Sequence, residues 1–472
     1  MDNTPIKLVV IGAGPGGYAA AFLAADMGMQ VTLIDKEENP GGVCVYRGCI
    51  PSKALLHAAK VLNEAHEIEN IGITFSKPNI DLNKLRAWKN SVVTRLTSGT
   101  GQLRKQRKIT NIQGTAKFLN STSLEVTTVD GKTQTVTFDK AIVATGSRPA
   151  TIPTLPKSKN ILDSTAALDL ENVPEKLLTI GGGYIGLELS TVYDALGSKV
   201  TVVEMMPQLL TGADRDLANI LIKRIESKFS KVMTSTKVLK VEEISSGLKV
   251  TFEDGEGKQF TDEFGKILVS IGRRPNTENI GLENTKAKVT ERGFVKVNAQ
   301  LKTDDDNIYA IGDIAGNPML AHKASHEGRT AVEAIAGHKV AFEPQAIPAV
   351  VFTDPEVAWC GLTELEAKDK GLEVQVVKFP WGASGRAITL ERVDGLTKLI
   401  IDTKTERILG MGIVGVGAGE LISEGVLAVE MGAVVSDIKL SIHPHPTISE
   451  TVMESAENFF GTATHFYRPR KS

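Results

Sequence analysis

Cysteine is scarce in this chain: three residues in 472, namely Cys44, Cys49 and Cys360. A secreted scaffold held by disulfides needs a far higher density, so that class is excluded. Long apolar runs are missing too. Stretches such as Lys7–Ile11 are cut by glycine or charge well short of the ~18 residues a membrane-crossing helix requires. No membrane insertion is expected. Neither sign of charge dominates: 54 Lys and Arg stand against 56 Asp and Glu, a formal balance of −2. That excludes the basic footprint of a nucleic-acid or anionic-membrane binder. The basic tail of Arg468, Arg470 and Lys471 is too short to change this. Before the first glycines there is neither an apolar stretch nor an Arg/Ser-rich extension, so the expected location is cytoplasmic.

What is present begins with a core: 42% of the residues are hydrophobic, enough for about two to four domains at this length. The chain then repeats itself. Ile6–Ile11 reads as a strand that ends in Gly12-Ala-Gly14-Pro-Gly-Gly17; an Ala-rich helical stretch runs to Met27, and Val31–Ile34 leads to Asp35. Far downstream, Lys176–Ile180 enters Gly181-Gly-Gly183-Tyr-Ile185-Gly186, a helix runs towards Leu196, and Val200–Val203 leads to Glu204. In each copy the first glycine makes the turn, the second admits a pyrophosphate to the backbone, and the third lets helix and strand pack closely. The diphosphate sits on free N–H groups at the positive end of the helix. The acid accepts the two hydrogens of an adenosine ribose diol. Two such modules imply two dinucleotides. Asp35 and Glu204 each repel a 2′-phosphate, which favours NAD over NADP.

Between the modules, Ile80–Leu103 reads as a polar helix and Thr110–Phe138 as short strands with turns at Asn120 and Asp130-Gly131. After Glu204 a helix to Phe229 is expected, then strands turning at Ser246-Gly247 and Asp254-Gly255. From Ile347 onward the pattern changes and carries no nucleotide fingerprint, which marks a separate α+β domain.

The segment Gly41-Gly42-Val-Cys44-Val-Tyr-Arg-Gly-Cys49-Ile-Pro-Ser-Lys53 leads into a strongly helix-forming stretch, Ala54–Asn63. Cysteines at a helix N-terminus have depressed pKa values and attack disulfides readily. The favoured reading is a redox-active pair. A structural pair and a metal site are the alternatives, the latter short of ligands because the nearest histidine is His57. Cys360 lies in an apolar setting without a partner and reads as structural.

This segment resembles the active-site signature of the pyridine nucleotide–disulfide oxidoreductase family, and further motifs come after it in order. They are Ala144-Thr-Gly-Ser-Arg148-Pro149, Ser270-Ile-Gly272-Arg273-Arg-Pro-Asn, Asn307-Ile-Tyr-Ala-Ile-Gly312-Asp313, Pro318-Met-Leu-Ala321-His-Lys and His443-Pro-His445-Pro-Thr-Ile-Ser-Glu450. The resemblance implies an α/β fold with two Rossmann-like domains, for FAD and NAD, and a C-terminal α+β dimerisation domain. The divisions expected are 1–147 and 276–346 for FAD, 148–275 for NAD, and 347–472 for dimerisation. It implies that Cys44 exchanges with substrate and Cys49 faces the flavin, and that Lys53 pairs with Glu188 near the flavin. His445 is the base and Glu450 its partner, contributed by the other subunit of a homodimer. Implied FAD contacts are Gly12, Gly14, Gly17, Asp35, Lys36, Gly42, Lys53, Ala116, Asp313 and Ala321. Implied NAD contacts are Gly181, Gly183, Ile185, Gly186, Glu204, Val238, Gly272 and Arg273. Within the family, the form of the histidine motif and Glu204 point to the bacterial branch that oxidises dihydrolipoamide carried by the lipoyl-bearing acyltransferase of 2-oxo acid dehydrogenase complexes. A related NAD(P)H-dependent disulfide reductase, or a flavoprotein with a mainly structural role in a complex, are the alternatives. Tyr46 and Arg47 depart from the usual residue types between the cysteines, and a shift of thiolate pKa or of substrate access is expected from them.

Overall fold

The computed structural model describes residues 5–467, so the basic tail lies outside the described residues. The first sheet has seven strands. Ile308–Ala310, Lys140–Val143, Lys7–Ile11, Gln30–Asp35 and Thr110–Asn120 run parallel, and Ser123–Thr128 and Thr133–Thr137 extend it antiparallel. Its central strands are continuous apolar runs because both faces are covered. The helices nearest the cysteines are α1 (Pro15–Asp26), α2 (Gly42–Arg47), α3 (Cys49–Glu67) and α4 (Leu82–Gln106). Pro15 suits the first turn of α1, and Gly28 at φ +84° ends it.

The second module repeats this plan. A parallel sheet is ordered Lys231–Met233, Lys199–Val203, Lys176–Ile180, Lys266–Val269 and Ile161–Leu162. It carries α5 (Ser164–Asp169), α6 (Tyr184–Ala195) and α7 (Arg215–Lys228). An antiparallel sheet of Lys237–Ile244, Gly247–Glu253 and Gln259–Phe264 covers one side. Where a helix was expected directly after Glu204, residues 205–214 form a loop. Leu210 is left-handed at φ +50° and donates back to Gly182 O at 3.0 Å, so helix formation waits until Arg215. The chain enters and leaves this module through Ser147–Pro149 and Arg273–Pro275, which pair as a two-stranded ribbon.

The chain returns to the first sheet through Ile308–Ala310 and then forms α8 (Ala321–Ile335) against α1. A Cβ on Gly328 would stand 2.6 Å from Gly16 O, so the two backbones touch there. The last part is an antiparallel five-stranded sheet ordered Ala349–Val351, Glu356–Gly361, Ile408–Gly415, Leu396–Asp402, Val374–Pro380. It carries α9 (Glu364–Asp369), α10 (Gly385–Thr389), α11 (Ala418–Glu430), α12 (Val435–Leu440) and α13 (Glu450–Phe459). Its core centres on buried Trp381, Leu399 and Ile413, with Cys360 buried among them. Burial pushes the Cys360 thiol up to about 12, as expected of an inert structural cysteine. Among the described residues no helix is long and apolar enough to cross a membrane.

A buried cation fastens this last sheet to the second module. Lys398, 1% exposed, reaches Asp214 at 2.6 Å, Asp216 at 2.9 Å and Glu364 at 2.6 Å. Burial alone would push its pKa down, but the three carboxylates outweigh burial and the net shift is upward. Asp216 is lowered: Lys378 and Lys398 overcome the effect of its burial. Lys398→Ala therefore leaves Asp214 without its cation and Asp216 and Glu364 with Lys378 alone. It should lower stability by about 3 kcal/mol, the low end for a broken buried pair because Glu364 and Lys378 keep some contact with water. Asp216 needs its cations only while ionised, and its pKa is lowered. In melting curves against pH, the gap to wild type should narrow as pH falls below the usual carboxylate range.

Candidate active site

Both glycine turns are held by one device. Asp35 accepts from Ala13 N at 2.6 Å and from Glu37 N at 2.9 Å; Glu204 accepts from Gly182 N at 2.7 Å and from Met206 N at 2.8 Å. Gly12 and Gly181 take φ +99° and +109°, torsions that side chains resist, and donate to Ile34 O and Val203 O, both at 2.8 Å. A Cβ on Gly17 would collide with Gly12 O, and one on Gly186 with Gly181 O. Gly14 and Gly183 are the N-caps of α1 and α6 and place no side chain on the leading N–H groups. Those donors are free for an anion.

A cavity of about 760 Å³ runs from the first turn to the cysteines. Gly12, Gly14, Gly17, Asp35, Lys36, Gly42 and Ala116 line its first part; Cys44, Cys49, Lys53, Glu188, Asp313 and Ala321 line the rest, with Ile185 and Arg273. Its length, bare backbone, unspent helix N-terminus and two flanking aspartates fit FAD. Gly42, at φ +58°, abuts Gly14 so closely that a Cβ there would strike Gly14 Cα. Gly181, Gly183, Gly186, Glu204, Val238 and Gly272 lie outside the cavity wall, around the second turn and its neighbouring strands. Val238 packs on the second sheet's core beside a bulge, and Gly272 is open backbone at φ +118°. Arg273 bridges the two parts: its Nε donates to Ser147 Oγ at 2.7 Å, and Ser147 Oγ donates to Asp313.

The cysteines sit where α2 gives way to α3. Cys49 is the first residue of α3, whose N-cap is Gly48, so Pro51 falls in the first helical turn as expected. Both cysteines are free thiols here. Cys44 donates to Cys49. That bond, then burial, pushes the Cys44 pKa up. The same bond, against burial and helped by Lys53, lowers Cys49 to about 7. Cys49 is thus a thiolate near neutrality, packed among protein atoms yet open to the cavity. Lys53 Nζ meets Glu188 Oε2 at 2.8 Å and lies 4.5 Å from the Phe352 ring centroid. Glu188, 3% exposed, also accepts from Phe352 N at 3.0 Å.

Arg47 and Tyr46 lie on α2 between the cysteines. The Arg47 guanidinium pairs with Glu37, and the thiols respond to each other, burial, Lys53 and Glu188. Glu37, Ser147 and Tyr184 also line the cavity and were not singled out from sequence, although each lies beside or within a quoted motif. Burial raises the Tyr184 pKa to about 12.

His445 Nδ1 and Glu450 Oε1 are 2.8 Å apart, and Glu450 Oε2 accepts from Thr447 N at 2.8 Å. Burial works against ionisation of Glu450, but these bonds keep its pKa below the usual value. The His445 side chain is 74% exposed, and the pair is not part of the cavity wall. The chain therefore does not bring its own dyad to its own cysteines. His443, the other motif histidine, is bound to Glu424 at 2.9 Å and to Ser441 O at 2.9 Å.

Residues 6–328 match the family model described as pyridine nucleotide-disulphide oxidoreductase. The chain belongs to this family. Residues 347–456 match the family's dimerisation-domain model. The chain is 49% identical over 459 residues to a dihydrolipoyl dehydrogenase of Vibrio cholerae, covering 97% of this chain and 96% of the relative. It is 50% identical to that of Haemophilus influenzae with the same coverages, and 46% identical to that of Geobacillus stearothermophilus, covering 97% of each. Among solved structures, LpdA of Mycobacterium tuberculosis superposes with a TM-score of 0.89 at 26% identity, over 96% of this chain and 99% of the other. The HOCl-induced flavoprotein disulfide reductase RclA of Escherichia coli superposes with a TM-score of 0.84 at 28% identity, over 96% and 99%.

The thiol pair predicts a titration. Thiolate absorbance of the reduced protein should rise with a midpoint near pH 7, since the lowered group is ionised above that value. Cys49→Ser should abolish this step. Cys44→Ala, which removes the stabilising donor, should move the midpoint upward; an unmoved midpoint would contradict the Cys44-to-Cys49 bond.

Proposed function

We propose that this chain oxidises protein-bound dihydrolipoamide to lipoamide and reduces NAD+, with FAD as its resident cofactor. The observation that carries the proposal is the donor–acceptor pair Cys44 and Cys49 in one cavity with Lys53–Glu188 and the Asp35 and Asp313 ends of a dinucleotide site. Relatives named dihydrolipoyl dehydrogenase along nearly the whole chain support the substrate class. Residues 1–147 and 276–346 serve FAD, 148–275 serve NAD, and 347–472 serve dimerisation. The partners are a second copy of the chain and the lipoyl-bearing acyltransferase and other subunits of a 2-oxo acid dehydrogenase complex, in the cytoplasm.

The reaction starts from the Cys44–Cys49 disulfide. One substrate thiolate attacks Cys44 Sγ; a mixed disulfide forms, the Cys44–Cys49 bond breaks, and Cys49 leaves as thiolate. The positive charge of Lys53 beside Cys49 favours its departure as thiolate. The substrate's second thiol gives its proton to His445 and attacks its own partner sulfur. The cyclic substrate disulfide closes, and Cys44 leaves and is protonated. Substrate is oxidised by two electrons and the cysteine pair reduced by two. When bound, FAD supplies the onward transfer of that electron pair to NAD+. Lys53, fixed by Glu188, keeps a positive charge beside the Cys49 thiolate. Glu450 orients His445 with Nε2 outward and stabilises its cation. Glu204, anchored by Gly182 and Met206, sets a fixed negative charge where NADP would carry phosphate.

The decisive measurement is NADH formation by the purified protein from dihydrolipoamide and NAD+, with NADP+ as control. Rapid NADH and little NADPH are expected; no turnover by flavin-loaded protein would refute the proposal. Cys44→Ser should abolish turnover. His445→Gln should lower it about 100-fold or more, the scale of a lost general base. A Cys44→Ser variant with full activity would remove the assigned role.

A further inference from the structure

Beneath the Asp313 loop lies a buried ion pair that the reaction does not use. Lys323 and Glu327 stand one turn apart on α8, with side chains 6% and 4% exposed and Nζ 2.6 Å from Oε1. Neither belongs to the cavity wall. Each also grips backbone. Glu327 Oε2 accepts from Gly312 N at 2.6 Å, and Lys323 Nζ donates to Gly316 O at 3.2 Å. The pair therefore brackets residues 312–316 at both ends. Between the two grips lies Asp313, which faces the cavity and accepts from Ser147 Oγ.

Packing alone does not account for the pair. The α1–α8 contact is made by Gly16, Ala324 and Gly328, which need no charge. Burying two ions is expensive and is often no better than an apolar pair of similar volume. What an apolar pair cannot do is donate to Gly316 and accept from Gly312 together. The loop needs that help: Gly312 at φ +75° and Gly316 at φ +139° are its two permissive hinges, and glycine hinges leave a loop conformationally free.

We propose that Lys323 and Glu327 are a positioning pair that holds the Asp313 loop in its cofactor-binding form and so sets how firmly FAD is retained. This rests on the FAD reading above. Neither side chain lines the cavity; they act through the loop, Glu327 by holding Gly312 of the cavity wall.

The test is the rate of FAD release from the flavin-loaded protein, followed by the rise in flavin fluorescence, with melting curves taken with and without FAD. Glu327→Ala should release FAD about tenfold faster or more, the scale of one lost hydrogen bond to a charged group. Glu327→Gln keeps an acceptor for Gly312 and should fall between that variant and wild type. Should Glu327→Ala fail to fold, the double variant Lys323→Met with Glu327→Gln, neutral at both positions, decides the matter: faster release supports the pair, wild-type release overturns it. A purely structural role predicts equal melting losses with and without FAD and an unchanged release rate, and that result also overturns it. A wild-type chain that takes up no FAD overturns the FAD reading and this proposal together. Wild type that holds FAD, with variants indistinguishable from it, overturns this proposal alone.

Discussion

The buried carboxylate of Glu188 is the point on which the rest of the molecule hangs. It has 3% of its surface in contact with solvent and two partners, Lys53 from 135 residues upstream and the backbone of Phe352 from 164 residues downstream. A buried carboxylate without partners is strongly unfavourable, so α6 can settle only when α3 and the start of the C-terminal sheet are both in place. Lys53 in turn fixes the first turns of α3, whose first residue is Cys49. One carboxylate thus couples the assembly of three chain segments to the placement of the thiolate.

The two nucleotide modules solve one problem with one set of contacts, and then diverge. In both, the acid ending the second strand locks its own glycine turn through backbone N–H groups. It is pre-oriented before any ribose arrives, so little ordering remains to be done on binding. The modules part beyond the acid. After Asp35 comes a short loop and then the cysteine helix, tied back by Arg47 to Glu37 and by Tyr46 OH to Asn39 O at 3.0 Å. After Glu204 comes an exposed loop with Met205 and Met206 open to solvent. The first module's glycine turn lies on the wall of the thiol cavity, while the second module's turn lies outside it.

Much of this was legible in the sequence because it is local. Strand, glycine turn, helix and acid lie within one short stretch, and each has its own physical signature. The Cys44–Cys49 segment was legible for the same reason, and Lys53 with Glu188 came from the family resemblance. What the sequence hid is long-range or rests on competition between partners. Nothing in the sequence near Arg47 says that Glu37 will pair with it. The Lys323–Glu327 spacing looks like any surface i,i+4 pair; only burial against α1 and the two backbone grips mark it as special. The loop at 205–214 holds Met, Gln and Leu that suit a helix, but Pro207 and Gly212 oppose one and the Leu210 bond to the glycine turn fixes the loop.

The histidine dyad is not on the wall of its own chain's thiol cavity. Among the described residues, the cavity wall holds two thiols, two lysines and several carboxylates but no imidazole. Thiol exchange near neutral pH needs a base that can accept and return protons, and histidine is the side chain suited to that range. The chain has such a base in His445, oriented by Glu450 and left with its tip in water on its own surface. A rigid carboxylate partner for an imidazole that faces solvent would be wasted on an isolated chain. The surroundings are as poorly suited to water: Leu427, Met431, Leu440 and Ile442 on the same part of the chain are 63%, 75%, 77% and 97% exposed. They lie within the residues that match the dimerisation model. A second copy laid over that surface removes apolar area from water. In the function proposed above, that contact also lets each chain supply the imidazole that the other's cavity lacks, because a two-fold contact repeats itself on both chains.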